Sequence, residues 1–197
     1  MPEPPRSRKD RTTAAILEAA SRVLARQGQA ATINEVAVEA GIGRATVYRY
    51  FKTREQLVSA LWEAALSEVE ERLVADRPEQ APFEEGLIRV VRAIASVGER
   101  YAVLLREQNN EGLERGREML GDRVFALLER GRRSGALRDD VSLELIAEMF
   151  GGIVLSGLRR ALEQGLGIDE ASIAVVGVFL RGAGNAGDAE RRSATTR

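Results

Sequence analysis

TINEVAVEAGIGRATVYRYF, residues 32–51, decides the reading of this chain, because it divides into two short helices joined by a tight turn. Thr32 opens the first helix, and Glu35 three residues later completes a capping box in which each side chain satisfies the other residue's free backbone donor. Ile33, Val36, Ala37 and Ala40 fall at helical spacing on the inward side, and Ala37 is small where a second helix must cross closely. Gly41 permits the left-handed backbone that ends the helix and turns the chain. Ile42 plugs the turn. Gly43 then begins a second helix with Val47 and Tyr50 or Phe51 facing the first, while Arg44, Thr46, Tyr48 and Arg49 face away. This is the plan of a helix-turn-helix, in which the second helix enters the major groove of DNA and offers its N-terminal residues to base edges.

Position along the second helix distributes the expected roles. Arg44 and Ala45 at its start reach deepest into the groove, and Tyr48 and Arg49 lie one turn on. An arginine fork matches O6 and N7 of guanine together, which makes Arg44 and Arg49 the candidate base readers. Thr46 reaches a phosphate or a thymine methyl, and Thr32, Tyr50, Lys52 and Arg54 sit at helix ends where the DNA backbone passes. Helix starts at Thr32 and Thr53 aim amides the same way. Arg8, Lys9 and Arg11 precede or open the first helix of the chain and add basic charge nearby. Phe51 reads as core.

Outward from this stretch, every segment reads as helix. Lys9 to Gln27 carries an apolar stripe of Ile16, Leu17, Ala20, Val23 and Leu24, closed by Gly28, and completes a three-helix unit. Thr53 with Gln56 forms a second capping box and starts a long helix to about Ala75, which links reader to body. Residues 76–82, DRPEQAP, make the clearest break, since two prolines end one helix and allow another. Helices are expected from Phe83 to about Gly98, from Tyr101 to Gln108, from Leu113 to Arg133, from Leu143 to Gln164 and, capped by Asp169, from Glu170 to Arg181. The fold class is all-α with about nine helices: an N-terminal arm and helix-turn-helix domain over 1–54, a helical domain over 55–183, and a Gly, Ala, Ser and Thr-rich tail over 184–197 that reads as disordered.

The motif residues resemble those of the TetR family of bacterial transcriptional regulators. Members usually show a threonine opening the second helix, alanine-glycine ending it, then T-hydrophobic-Y-x-(Y/H)-F, a basic or polar pair and a second cap. Here these are Thr32, Ala40-Gly41, Thr46 to Phe51, and Lys52-Thr53-Arg54-Glu55. One departure is Gly43, where serine is common. Glycine still caps, but the hydroxyl is absent, so Gly43 is not counted among the contacts. The resemblance implies a repressor that binds a palindromic operator as a dimer and is released by a small molecule held within the fourth to eighth helices. Tyr101, Arg106, Gln108, Asn109, Met119, Phe125, Met149 and Phe150 are the large or polar residues of those helices and the candidate ligand contacts. It implies neither cofactor nor metal.

The last two helices differ in texture from the rest. The segment 143–164 combines Ile146, Phe150, Ile153, Val154 and Leu158 with Gly151, Gly152, Ser156 and Gly157, and the final helix carries AVVGVFL, apolar on nearly every side. One face can meet the body, and covering the second suggests a partner chain. The resemblance implies a four-helix dimer contact from these two helices, with Gly152, Leu155, Ser156, Arg159, Val175, Val176 and Phe179 as the candidate interface.

Composition narrows the chemistry. In 197 residues there is no cysteine and no histidine, which removes disulfides, thiolate metal sites and imidazole acid/base catalysis. The net charge of -1 hides an asymmetry: residues 1–54 hold ten Lys/Arg and five Asp/Glu, or +5, leaving -6 for the rest. A basic end on an acidic body presents one face to phosphates and repels DNA elsewhere. The basic start is followed by no apolar run of the kind found in a secretory signal, and no run of 18 apolar residues suggests a membrane span, so a cytoplasmic protein is expected. Two other readings stay open. One is an architectural DNA-binding protein with little sequence preference. The other is an enzyme with a helical active site, resting on carboxylate pairs such as Glu70-Glu71, Glu84-Glu85 or Asp139-Asp140, which look like solvated faces or caps.

Overall fold

The computed structural model describes residues 8–101 and 110–184. Its elements are α1 (Arg8–Gln27), α2 (Ile33–Ala40), α3 (Arg44–Tyr50), α4 (Arg54–Asp76), α5 (Phe83–Tyr101), α6 (Asn110–Arg133), α7 (Leu143–Glu163) and α8 (Ile168–Ala183), with short 3-10 helices at Gly28–Ala30 and Pro78–Gln80. The all-α class stands, with eight α-helices among the described residues. One difference lies at Tyr101: α5 runs unbroken through Gly98 to Tyr101, and the rest of the separate helix expected there lies outside the described residues. The tail residues 185–197 lie outside them too.

The chain forms two compact units. The first holds α1, α2, α3, α4 as far as Ala65, and the described part of Arg100–Gly112; the second holds the remainder. The boundary at 65/66 falls inside α4, beyond the 54/55 division suggested by the sequence.

In the first unit α1 packs on α2 and α2 on α3. Ile16, Ala19, Ala20, Val23 and Leu24 meet Ile33, Val36, Ala37 and Val47 in a core that also takes Phe51 and, from α4, Leu57, Val58 and Leu61. Leu17 and Ala40, read as inward, are half-buried at its edge. Ser21 is buried too, its hydroxyl donating to the Glu18 carbonyl at 2.8 Å, so α1 gains a polar group in its core face without an unmet donor.

In the second unit the break at 76–82 is a built connection. Arg77 takes a left-handed conformation (φ 44°), Pro78 starts the 3-10 helix, and arginines reach back to its carbonyls: Arg89 donates to Asp76 at 2.7 Å and Arg130 to Ala81 at 2.8 Å and to Glu79. Helices α7 and α8 pack on each other. They are close at Gly157, where a Cβ would lie 2.8 Å from the Val175 side chain. Phe150 and Phe179 meet edge to face with centroids 4.8 Å apart, beside buried Ile146, Val154, Leu158, Ala171 and Val176. Asp169 is not the cap of α8. Gly167 holds that position without a side-chain bond, and the Asp169 carboxylate instead accepts from Arg92 at 2.6 Å. The left-handed Gly165 (φ 76°) ends α7, with the Leu166 amide donating back to Ala161 at 3.1 Å, and α8 opens two residues later at Gly167, whose carbonyl accepts from Ala171 at 2.9 Å.

The expected interface residues of α8 need correction. Val176 is 0 % exposed and Phe179 2 %, and Val175 is buried against Gly157, so all three are consumed by the protomer's own core. What α8 leaves outside is Ile173 and Val178, and α7 leaves Leu145 and Met149, each more than half exposed. Gly152, Ser156 and Arg159 continue the α7 stripe at the surface, and Leu155 is half-buried beside it.

Candidate nucleic-acid interface

The capping box at the start of α2 is present in both directions. The Thr32 hydroxyl accepts from the Glu35 amide at 3.3 Å, and the Glu35 carboxylate accepts from the Thr32 amide at 2.9 Å and its hydroxyl at 2.7 Å. Gly41 ends the helix at φ 65°, ψ 27°, and the next amide, of Ile42, donates to Ala37 at 3.0 Å. The turn therefore has the closing bond of a left-handed helix end, which aims α3 across α2. On α3 only Val47 is buried. Phe51 follows it in extended conformation as the second anchor of this short helix in the core.

The other face of α3 is open. Arg44, Ala45, Tyr48 and Arg49 are exposed and Thr46 is half-buried, an arrangement with a guanidinium at each end of about one and a half helical turns. The Arg49 guanidinium lies 5.8 Å from the centroid of the half-buried Tyr50 ring, a cation–π contact that steadies it. Tyr50 is thus neither wholly core nor free. Lys52 is exposed, and its amide donates to the Gln56 side chain at 2.9 Å while the Gln56 amide donates to the Thr53 hydroxyl at 3.3 Å. The Thr53 half of the expected box is therefore present, and only the return bond is shifted by one residue, since the Gln56 side chain reaches past Thr53 to Lys52.

Two residues depart from the sequence reading. Arg54, expected at the phosphates, is half-buried and donates to the Gly28 carbonyl at 3.3 Å, tying α4 to the connection between α1 and α2. Asn34 is not among the residues the sequence pattern singles out; it is exposed in the first turn of α2, between the two members of the capping pair. The signal available was its place on the outer side of Ile33 and Val36.

Ion pairs hold α1 on α2. Glu39 accepts from Arg22 at 2.8 Å and from Arg26 at 2.6 Å, and Arg22 also reaches Glu18 at 2.9 Å. Arg22 and then Arg26 hold the Glu39 carboxyl below the usual glutamate range, and the Thr32 hydroxyl and amide do the same for Glu35. A depressed carboxyl adds stability that is fully present above the ordinary glutamate pKa of about 4.3 and is lost as pH falls through the folded value. The melting temperature is therefore expected to fall more steeply below about pH 4.3 in the wild type than in Glu39→Gln, by a small margin because these groups face solvent. Thermal melts by circular dichroism from pH 7 to pH 3 check this, and parallel curves would remove Glu39 as a contributor.

Of the expected ligand contacts, Arg106, Gln108 and Asn109 lie outside the described residues, as does the side chain of Tyr101. Met119 and Phe125 are half-buried on α6. Met149 is exposed on α7, and Phe150 belongs to the core with Phe179. Among the described residues no group of acidic side chains is disposed to hold a metal ion, and no helix is long and apolar enough to cross a membrane.

Residues 16–61, from α1 into α4, match the pattern of the bacterial regulatory proteins of the tetR family. The transcriptional repressor LfrR of Mycolicibacterium smegmatis is 36% identical over 90 residues, covering 46% of this chain and 47% of that protein. The fold is similar to that of LfrR from Mycobacterium smegmatis in complex with proflavine, with a TM-score of 0.69, 24% identity and coverage of 88% of this chain and 96% of that one. It is similar also to that of FadR from Bacillus subtilis in complex with stearoyl-CoA, with a TM-score of 0.70, 23% identity and coverage of 85% and 97%.

Proposed function

We propose, for a chain that belongs to the TetR family of helix-turn-helix transcriptional regulators, that it is a dimeric repressor which a small molecule releases from a palindromic operator. The observation that carries this reading is the α2–Gly41–α3 geometry, which buries Val47 and leaves Arg44, Ala45, Tyr48 and Arg49 facing outward together. With α3 in the major groove, Arg44 and Arg49 read base edges, Thr46 and Tyr48 contact the groove wall, and Thr32, Tyr50 and Lys52 lie against the DNA backbone. Asn34 joins them from the first turn of α2. Arg54 acts indirectly, by holding Gly28 and so the angle between α1 and α4.

The exposed apolar stripes of α7 and α8 are where a second copy docks, through Leu145, Met149, Gly152, Ser156 and Arg159 with Ile173 and Val178. Two heads held in this way fit major grooves about 34–36 Å apart or a multiple of that repeat. The helical body after α3 takes the effector, and a hydrophobic molecule fits the precedent of stearoyl-CoA on FadR and proflavine on LfrR. Release needs no chemistry at the reading head. A ligand that favours a splayed dimer over the DNA-competent one by roughly 1–3 kcal/mol is sufficient. Such a regulator works in the cytoplasm and catalyses nothing.

Fluorescence anisotropy on fragments flanking the protein's own gene tests this, with binding followed at rising salt. Tight, salt-sensitive binding to a palindrome at two heads per site is expected, and random DNA is expected to bind at least 1,000-fold more weakly. Equal affinity for random DNA would leave an architectural protein as the better account. Specific binding that no hydrophobic compound relieves would leave a constitutive regulator.

A further inference from the structure

Trp62, the one tryptophan of the chain, lies on α4 and is 7 % exposed. Its indole nitrogen is buried and meets no hydrogen-bond acceptor among the described residues. An indole N–H is a donor only, and a buried donor left unmet carries its full desolvation penalty. Tryptophans are ordinarily placed where that N–H finds a partner. Phenylalanine would fill similar space without the penalty. The ring is also hemmed in. A Cβ built on Gly112 would lie 2.4 Å from Cδ2 and Cε2 and 2.5 Å from Cδ1 of Trp62, three atoms of the five-membered ring at nearly one distance, which sets Gly112 over that ring's face.

We infer that the Trp62 indole N–H is a donor held ready for the effector, and that the effector is an apolar molecule carrying a carbonyl-type acceptor. The inference rests on the ligand-responsive reading above. Trp62 is eight residues beyond Arg54 on α4, roughly 12 Å of helix rise, and both belong to the first compact unit. Because Gly112 blocks one side of the ring, an acceptor that draws the N–H toward it moves α4 along with the ring. The far end of that lever is the bond from Arg54 to Gly28 in the reading head. A flat cationic dye offers the N–H no acceptor, and one face on which it would stack is already taken.

Palmitoyl-CoA, whose thioester carbonyl sits on an apolar chain, and proflavine, a flat cation, are the probes, used on the full chain. Palmitoyl-CoA is expected to change Trp62 emission and to shift the ultraviolet resonance Raman band of the indole N–H from the free to the bonded position. Trp62→Phe is expected to weaken palmitoyl-CoA roughly 5- to 30-fold, the loss of one hydrogen bond, with a melting temperature no lower than that of the wild type and operator affinity in the absence of probe unchanged. The Raman band is read on the wild type and needs no variant to fold.

Failure of palmitoyl-CoA to bind, equal affinity in Trp62→Phe, an unshifted indole band, or binding of proflavine alone overturns the inference. A bonded indole band in the free protein overturns it as well, by showing a buried water as the partner. If palmitoyl-CoA engages Trp62 while the operator stays bound, the Trp62 site stands and the effector reading fails. If the operator is released with Trp62 unchanged, the effector reading stands and the Trp62 site fails.

Discussion

The double variant Met149→Glu, Val178→Glu is expected to be a folded monomer that has lost operator binding by at least 100-fold. Both side chains are more than half exposed in the protomer, Met149 at 54 % and Val178 at 59 %, so neither change disturbs the core that Phe150, Val176 and Phe179 form between α7 and α8. In the dimer both would be buried, and an unpaired charge in such an interface costs several kcal/mol. Losing the dimer removes the second head, and with it the gain from two linked contacts on one operator. Phe179→Glu separates interface from core. It places a charge at a position only 2 % exposed within the protomer, against the ring of Phe150, and a loss of about 3–5 kcal/mol is a large share of the 5–15 kcal/mol typical of a domain. Sedimentation velocity and circular dichroism on the two proteins decide the matter. A dimeric double variant would move the interface away from these stripes, and a folded monomeric Phe179→Glu would restore Phe179 to the interface.

Arg44→Ala is expected to relax sequence preference at one operator position in each half-site by about 1–3 kcal/mol, or about 2–6 kcal/mol over a palindrome. Arg44 opens α3, is exposed, and its loss removes the fork without touching Val47 or Phe51, which hold the helix in place. Lys52→Ala is expected to act differently, weakening all sequences alike and lowering the salt slope by about 1 per head. Arg54→Ala gives a third pattern. Its guanidinium is engaged with Gly28, so its substitution lowers the melting temperature of the head and leaves the salt slope nearly unchanged. Competition binding of each variant against operator and random DNA at several salt concentrations separates the three. Equal loss by Arg44→Ala on both kinds of DNA would remove Arg44 from the readers, and a salt slope lowered by Arg54→Ala would return that residue to the phosphates.

The reading head was legible because its signals are local. A capping box joins residues three apart, a left-handed helix end needs only a glycine, and a helical stripe repeats within a few turns, so Thr32 with Glu35, Gly41, and the Ile33, Val36, Val47 core follow from spacing alone. The helix between the prolines of 76–82 and the start of α6 was less so, since Gly98 looks like an end and α5 runs through it. Glycine inside a helix weakens it by only about 1 kcal/mol, which packing on a long apolar face readily offsets.

What the sequence by itself determined is the all-helical class, the three-helix head and the polar face of α3, because each depends on neighbours within four residues along the chain. Which side of an all-round apolar α8 faces its own core was decided only in three dimensions, when Phe150 and Gly157 arrived from α7 to cover Phe179 and Val175 and left Ile173 and Val178 outside. The same holds for Arg54, taken by a carbonyl 26 residues away, and for Trp62, whose N–H finds no acceptor among the described residues and whose ring lies under Gly112. A side chain's partner across such a distance depends on how whole helices pack, and helix packing admits several arrangements for one pattern of apolar residues.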